Sequence, residues 1–80
     1  MPFVYIVECA DGTLYTGWAI DVNKRVAAHN AGRGSRYTRA RRPVKLVYVE
    51  KRATRAIVMK REAIIKKMPR AKKLRLLRDT

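Results

Sequence analysis

Five side chains in this 80-residue sequence are of types that can move protons, hold a phosphate and bind a hard cation: Tyr5, Tyr15, Arg25, His29 and Glu62. Arg25 and His29 lie four apart, and with Val22 and Val26 they fill the i, i+3, i+4, i+7 stripe that a helix normally turns toward the core. A lone histidine on such a stripe is ordinarily a carbonyl cap, and an arginine can snorkel to solvent along its stem. Two polar residues on one inward stripe, opposite strands that carry two tyrosines, point to a site instead. Glu62 stands among Lys60, Arg61, Lys66 and Lys67. A salt bridge to Lys66 at i+4 contributes only about 0.3–0.5 kcal/mol, a weak reason for a carboxylate there. A divalent cation is a stronger reason, because magnesium uses one or two carboxylates, several waters and the substrate's phosphates.

These residues can meet only if the elements carrying them fold together. FVYIVEC (3–9) and LYTGW (14–18) are rich in β-branched and aromatic residues and flank CADGT, so residues 3–18 read as a β-hairpin. A type I turn with a G1 bulge, Gly12 being left-handed, pairs Val7 with Tyr15 and Tyr5 with Gly17. Tyr5, Val7, Cys9, Tyr15 and Gly17 then share a face. A two-residue type I′ turn at Asp11-Gly12 slips the register by one and sends the two tyrosines to opposite faces. The bulge is favoured, since Gly17 opposite Tyr5 leaves space for a group to approach the Tyr5 hydroxyl. Asp21 is the expected N-cap of a helix from Val22 to about Asn30, closed by Gly32. AGRGSRYTRARRP (31–43) reads as a loop whose arginines suit phosphates and whose Tyr37 can stack on a base. VKLVYVE (44–50) alternates as a third strand, Thr54 caps a helix to about Lys67, and Pro69 opens a last helix, PRAKKLRLLRD. Leu74, Leu76 and Leu77 favour packing for it. The expected fold class is α+β, a three-stranded antiparallel sheet flanked by helices in the order β-β-α-β-α-α, as one domain over residues 1–80.

Charge names the partner class. Twenty Lys and Arg against six Asp and Glu give a formal net charge of +14, and none of the twenty precedes Lys24. A field of this kind attracts a polyanion, and six to ten phosphate contacts lose about 10³–10⁵ in affinity between 50 and 200 mM salt. Nucleic acid, DNA or RNA, is the leading partner. Anionic membrane is a poor one without an amphipathic helix bearing bulky aromatics. The single cysteine, Cys9, forms no intramolecular disulfide, no apolar run approaches the roughly 20 residues of a membrane span, and the opening MPFVYIVECADG lacks a signal peptide's positive segment. The expected location is the cytoplasm.

VYI (4–6), YTG (15–17), DVNKRVAAHNAG with Arg25 and His29, the SRYT stretch, KLVYVE and EAIIKKMPRAKKLRLL together resemble, in this order and spacing, a stand-alone GIY-YIG nuclease domain. The likeness spans nearly the whole chain. It departs in lacking a Gly-Ile before Tyr5, in Thr16 at the centre of the second motif, and in having no asparagine on the final helix, the only two being Asn23 and Asn30. The resemblance implies a phosphodiesterase that uses one divalent cation, Mg²⁺ or Mn²⁺. In it Tyr5 or Tyr15 helps to activate the attacking water, Arg25 holds the scissile phosphate, His29 assists proton movement, and Glu62 carries the metal. A phosphodiester transition state gathers negative charge, which such a set stabilises where it develops. A tyrosine with a pKa near 10 is only about a thousandth ionised at pH 7, so a phenolic base needs positive charge beside it. Gly17, Arg33, Arg36, Tyr37, Arg39, Arg41, Arg42 and Lys66 are the expected nucleic-acid contacts.

Three other classes compete. A covalent phosphotyrosyl enzyme would leave Glu62 without a task. A non-catalytic nucleic-acid-binding module is the closest alternative, and a ribosome-associated or scaffold protein is a third. The expected substrate is structured, branched or nicked DNA met in repair or recombination, with targeting by a partner protein or homodimer.

Overall fold

The computed structural model describes residues 1–78. In chain order the elements are β1 (Phe3–Glu8), β2 (Leu14–Ala19), α1 (Val22–Asn30), α2 (Arg36–Arg39), β3 (Lys45–Lys51), α3 (Arg55–Lys66) and α4 (Arg70–Arg78). The sheet has the order β2-β1-β3, with both outer strands antiparallel to β1. The α+β class and the three-stranded antiparallel sheet are therefore as expected.

The hairpin takes the bulged turn. Gly12 has φ +84°, its N–H donates to the Cys9 carbonyl and the Cys9 N–H to that of Thr13. Val7 consequently pairs with Tyr15 and Tyr5 with Gly17. The space at Gly17 belongs to Tyr5 itself, however, because a Cβ there would lie 2.6 Å from the Tyr5 hydroxyl. Gly17 seats the phenol and leaves no channel for another group to approach it.

Asp21 caps α1 by accepting from the Lys24 N–H at 3.0 Å. At the other end the Gly32 N–H reaches the His29 carbonyl and the Arg33 N–H that of Ala28, the paired bonds of a Schellman stop with Gly32 at φ +83°. Thr54 caps α3 through the Ile57 N–H. The 31–43 segment, expected as a loop, contains the one-turn α2. Its cap is Ser35, whose hydroxyl accepts from the Thr38 N–H at 3.1 Å. Four residues are too few to show helical periodicity, and the Gly-Arg composition masked the cap. The last helix begins at Arg70, after Pro69; Asp79, assigned to it from sequence, lies outside the described residues.

The central strand is covered on both sides. Tyr5, Val7, Cys9, Ala19, Val22 and Val44 are buried together on the α1 side. Val4, Ile6, Tyr48, Val58 and Ile65 are buried on the other, with Leu76 and Leu77 of α4 packed against them. The β1–β3 register shifts between Ile6, opposite Tyr48, and Val7, opposite Leu46, so Val47 is the extra residue of a bulge. That bulge is what sends Leu46 and Tyr48 to different faces. Glu50 fastens β3 to α3, accepting from Arg61 Nε at 2.8 Å while also pairing with Arg52 and the Tyr48 hydroxyl. No helix among the described residues is long and apolar enough to cross a membrane.

Candidate active site

A buried chain of hydrogen bonds starts on the central strand. The Tyr5 hydroxyl lies 2.7 Å from His29 Nε2, His29 Nδ1 lies 2.7 Å from Thr38 Oγ1, and Thr38 Oγ1 lies 3.0 Å from Ser35 Oγ. Tyr5 and His29 are each 1% exposed and Thr38 not at all. α1 supplies His29 from its last turn, and α2 exists to deliver Thr38. Gly34 lets that segment close over the imidazole, since a Cβ there would run into the His29 ring. Two proton arrangements satisfy the four groups. In one, Tyr5 donates to Nε2 and Nδ1–H to Thr38; in the other, Thr38 donates to Nδ1 and Nε2–H to Tyr5.

Tyr15 is half-buried beside this chain. Its ring meets His29 edge-on at 5.3 Å between centroids and stacks on Tyr37 at 5.8 Å with planes 25° apart. The Arg41 guanidinium also lies over the Tyr37 ring, 3.9 Å from its centroid. Tyr37, expected from sequence to stack on a base, is thus already engaged by Tyr15 and Arg41 while 37% of it stays exposed. Arg41 is itself held by the Asp11 carboxylate at 3.1 Å and the Tyr37 carbonyl at 2.9 Å. Arg42 donates to the Arg39 carbonyl and lies across Gly32. These two arginines brace the segment, joining the hairpin turn to the wall of the site.

Arg25 and Glu62 close the group from opposite sides. Arg25, on the inward stripe by spacing, is exposed: its guanidinium runs along the rim to the Trp18 carbonyl at 3.4 Å and acts electrostatically on both Tyr5 and His29. Glu62 arrives on α3, which packs along β2 and β1. Its side chain is 20% exposed, pairs with Lys66 at 3.6 Å and lies near enough to influence Tyr5. Lys66 Nζ in turn sits 5.9 Å over the Tyr15 ring. Burial first, then Tyr15, push the Tyr5 phenol up to about 12, with Arg25 opposing the rise and Glu62 adding to it. Burial and then Arg25 hold His29 below its ordinary 6.5, so its imidazole is neutral at neutral pH.

Tyr5, Tyr15, Arg25, His29 and Glu62, drawn from four elements, thus form one neighbourhood, with Lys66 at its edge and Gly17 beneath it. Arg33, Arg36 and Arg39 lie together in a separate cleft nearby. Sequence reasoning missed Ser35, Thr38 and Gly34; the signal was the Ser-x-x-Thr pattern after a glycine, a cap for a helix one turn long. As for a metal, no group of three His, Cys, Asp or Glu side chains clusters among the described residues. The donor set at Glu62, one partly exposed carboxylate, fits a cation that completes its shell with water and phosphate oxygens.

A family model described as the GIY-YIG catalytic domain matches residues 1–75. The chain belongs to the GIY-YIG family. This GIY-YIG domain is therefore of nuclease type. It is 57% identical over 77 residues to a UPF0213 protein of Staphylococcus aureus strain Mu3, covering 96% of this chain and 94% of the relative. Among solved structures, the UPF0213 protein BH0048 from Bacillus halodurans matches with a TM-score of 0.62 at 40% identity, covering 96% of this chain and 83% of that one. The protein EF2693 from E. faecalis matches with a TM-score of 0.64 at 35% identity, covering 96% and 82%.

Proposed function

We propose that this GIY-YIG domain is a divalent-metal-dependent endonuclease that hydrolyses phosphodiester bonds in structured, branched or nicked DNA of repair or recombination. The observation that carries the reading is the convergence of two phenols, a guanidinium, a neutral imidazole and a carboxylate at one corner of the sheet. Tyr15 is the better placed phenol to meet the attacking water: Tyr5 is sealed and its proton is held by burial, whereas Tyr15 is half-exposed with the Lys66 ammonium over its ring. His29, neutral and fixed by Tyr5 and Thr38, accepts and returns a proton inside the site. Arg25, on the rim, grips the scissile phosphate and stabilises the charge that grows on its oxygens. Glu62 would hold Mg²⁺ or Mn²⁺, which when bound supplies Lewis-acid stabilisation to the leaving oxygen. DNA held by this basic surface would bind in a strongly salt-dependent way.

The test is purified protein with supercoiled plasmid and branched oligonucleotides in Mg²⁺ or Mn²⁺, comparing wild type with Glu62→Ala. Cleavage is expected to be abolished in the variant while binding is kept, and Arg25→Ala should slow cleavage about 10²–10³-fold. Equal cleavage by Glu62→Ala removes that carboxylate from the mechanism. DNA binding without metal-dependent nicking by the wild type points to a non-catalytic binding module.

A further inference from the structure

The five arginines of the 31–43 segment divide into two groups. Arg41 and Arg42 spend their guanidiniums on protein groups. Arg33, Arg36 and Arg39 are exposed, and among the described residues their guanidiniums make no hydrogen bond and no salt bridge. These three, with Gly32 and Ser35, line one concavity of about 360 Å³. The acids that pair at all are used elsewhere: Asp11 with Arg41, Glu50 with Arg52 and Arg61, Glu62 with Lys66. Three fixed cations facing one hollow repel one another unless an anion joins them, and guanidiniums match phosphate oxygens in pairs. Arg36 and Arg39 also flank Thr38, the residue that holds His29, so one short helix faces both the imidazole and the cleft.

We infer that the Arg33–Arg36–Arg39 cleft is a second phosphate site, distinct from the proposed catalytic residues, that takes one phosphate of the bound nucleic acid and so fixes which bond reaches them. The inference rests on the nucleic-acid substrate proposed above but not on cleavage. Its ligand chemistry is a phosphate, either an internal diester or a terminal monoester.

The test uses the full chain in EDTA. Arginine Nε–Hε signals are followed by NMR during titration with inorganic phosphate, and DNA affinity is measured against salt for Arg33→Gln, Arg36→Gln, Arg39→Gln and the triple variant. Three guanidiniums on one phosphate predict shifts confined to those three residues. They also predict a triple variant whose salt slope falls by about one, with single effects that do not add. Shifts spread equally over Arg41 and Arg42, or a slope that falls by about one per arginine to a total of about three, overturn the cleft in favour of a diffuse basic surface. Oligonucleotides with 5′-phosphate or 5′-hydroxyl ends identify the source: a preference for the phosphate that vanishes in the triple variant assigns a terminal monoester, and equal binding assigns an internal diester. A wild type that passes this test yet never nicks DNA sinks the nuclease proposal alone.

Discussion

On the α1 side of the sheet the fully buried large groups are Tyr5, His29, Thr38 and Val7; on the α3–α4 side they are Val4, Ile6, Val58 and Ile65. The apolar side is an ordinary core that needs only volume and contact. The polar side is stable only because each hydroxyl and ring nitrogen has a partner at 2.7–3.0 Å. Two threonines sharpen the contrast. Thr38 is the hinge of the hydrogen-bond chain, whereas Thr16, on the α3 side beside Leu14 and Trp18, buries an Oγ1 with no partner among the described residues. The polar face is therefore the one shaped for chemistry, and the apolar face the one that supports it.

The largest expected effect is on the supporting face. Ile65→Ala should lower the free energy of unfolding by about 2–5 kcal/mol in urea titration, through lost burial and the cavity left behind. The cleavage rate per folded molecule should stay the same; a lost rate in fully folded variant would show that this core tunes the site.

Next, one substitution type should act with opposite signs on the two faces. Thr38→Val leaves His29 Nδ1 without its partner and should destabilise by about 1–3 kcal/mol, whereas Thr16→Val removes an unpaired hydroxyl and should stabilise by about 1 kcal/mol. Matching signs would erase the distinction between the faces. For Thr38→Val, ¹⁵N spectra of His29 should also report a changed tautomer mixture, which a merely structural loss would not produce.

Between pH 7 and pH 5 acid should act first on the polar face, because Glu50 on the other face, its carboxyl held against burial below the ordinary 4.5 by its bonds to Arg61 and Tyr48, loses its contribution at lower pH. The His29 pKa is lower folded than unfolded, so the unfolded chain binds the extra proton. The stabilisation from neutral His29 is complete above the unfolded value near 6.5 and is lost as pH falls through the lower folded value. Urea midpoints taken at pH 7 and pH 5 should fall toward acid in wild type and fall less in His29→Gln. At the opposite extreme Tyr5, raised to about 12 from 10.0, contributes stability present below pH 10 and lost between those values.

The smallest effect concerns the surface. Lys66→Gln should change stability by only about 0.3–0.5 kcal/mol, since it removes one exposed i,i+4 pair with Glu62. Its effect on cleavage should be larger than that, because it also takes the cation from over Tyr15.

The sequence by itself determined the elements and most of their ends. Asp21, Thr54, Gly12 and Gly32 act through bonds to backbone a few residues away, so their roles depend on local order. The same holds for the pairing of Tyr5 with Gly17, which follows from turn length. It also placed Tyr5, Tyr15, Arg25, His29 and Glu62 as candidates by type and spacing. Tertiary structure alone decided which groups face one another: that Tyr37 meets both Tyr15 and Arg41, that Tyr5 fills the space over Gly17, and that Thr38 reaches His29. It also separated the arginines that brace the fold from the three that are free. Apart from the short-range contacts of Arg41 with Tyr37 and of Arg42 with Arg39, these facts depend on contacts between segments 9 to 30 residues apart, whose distances are set by how the helices pack on the sheet, which no local pattern encodes.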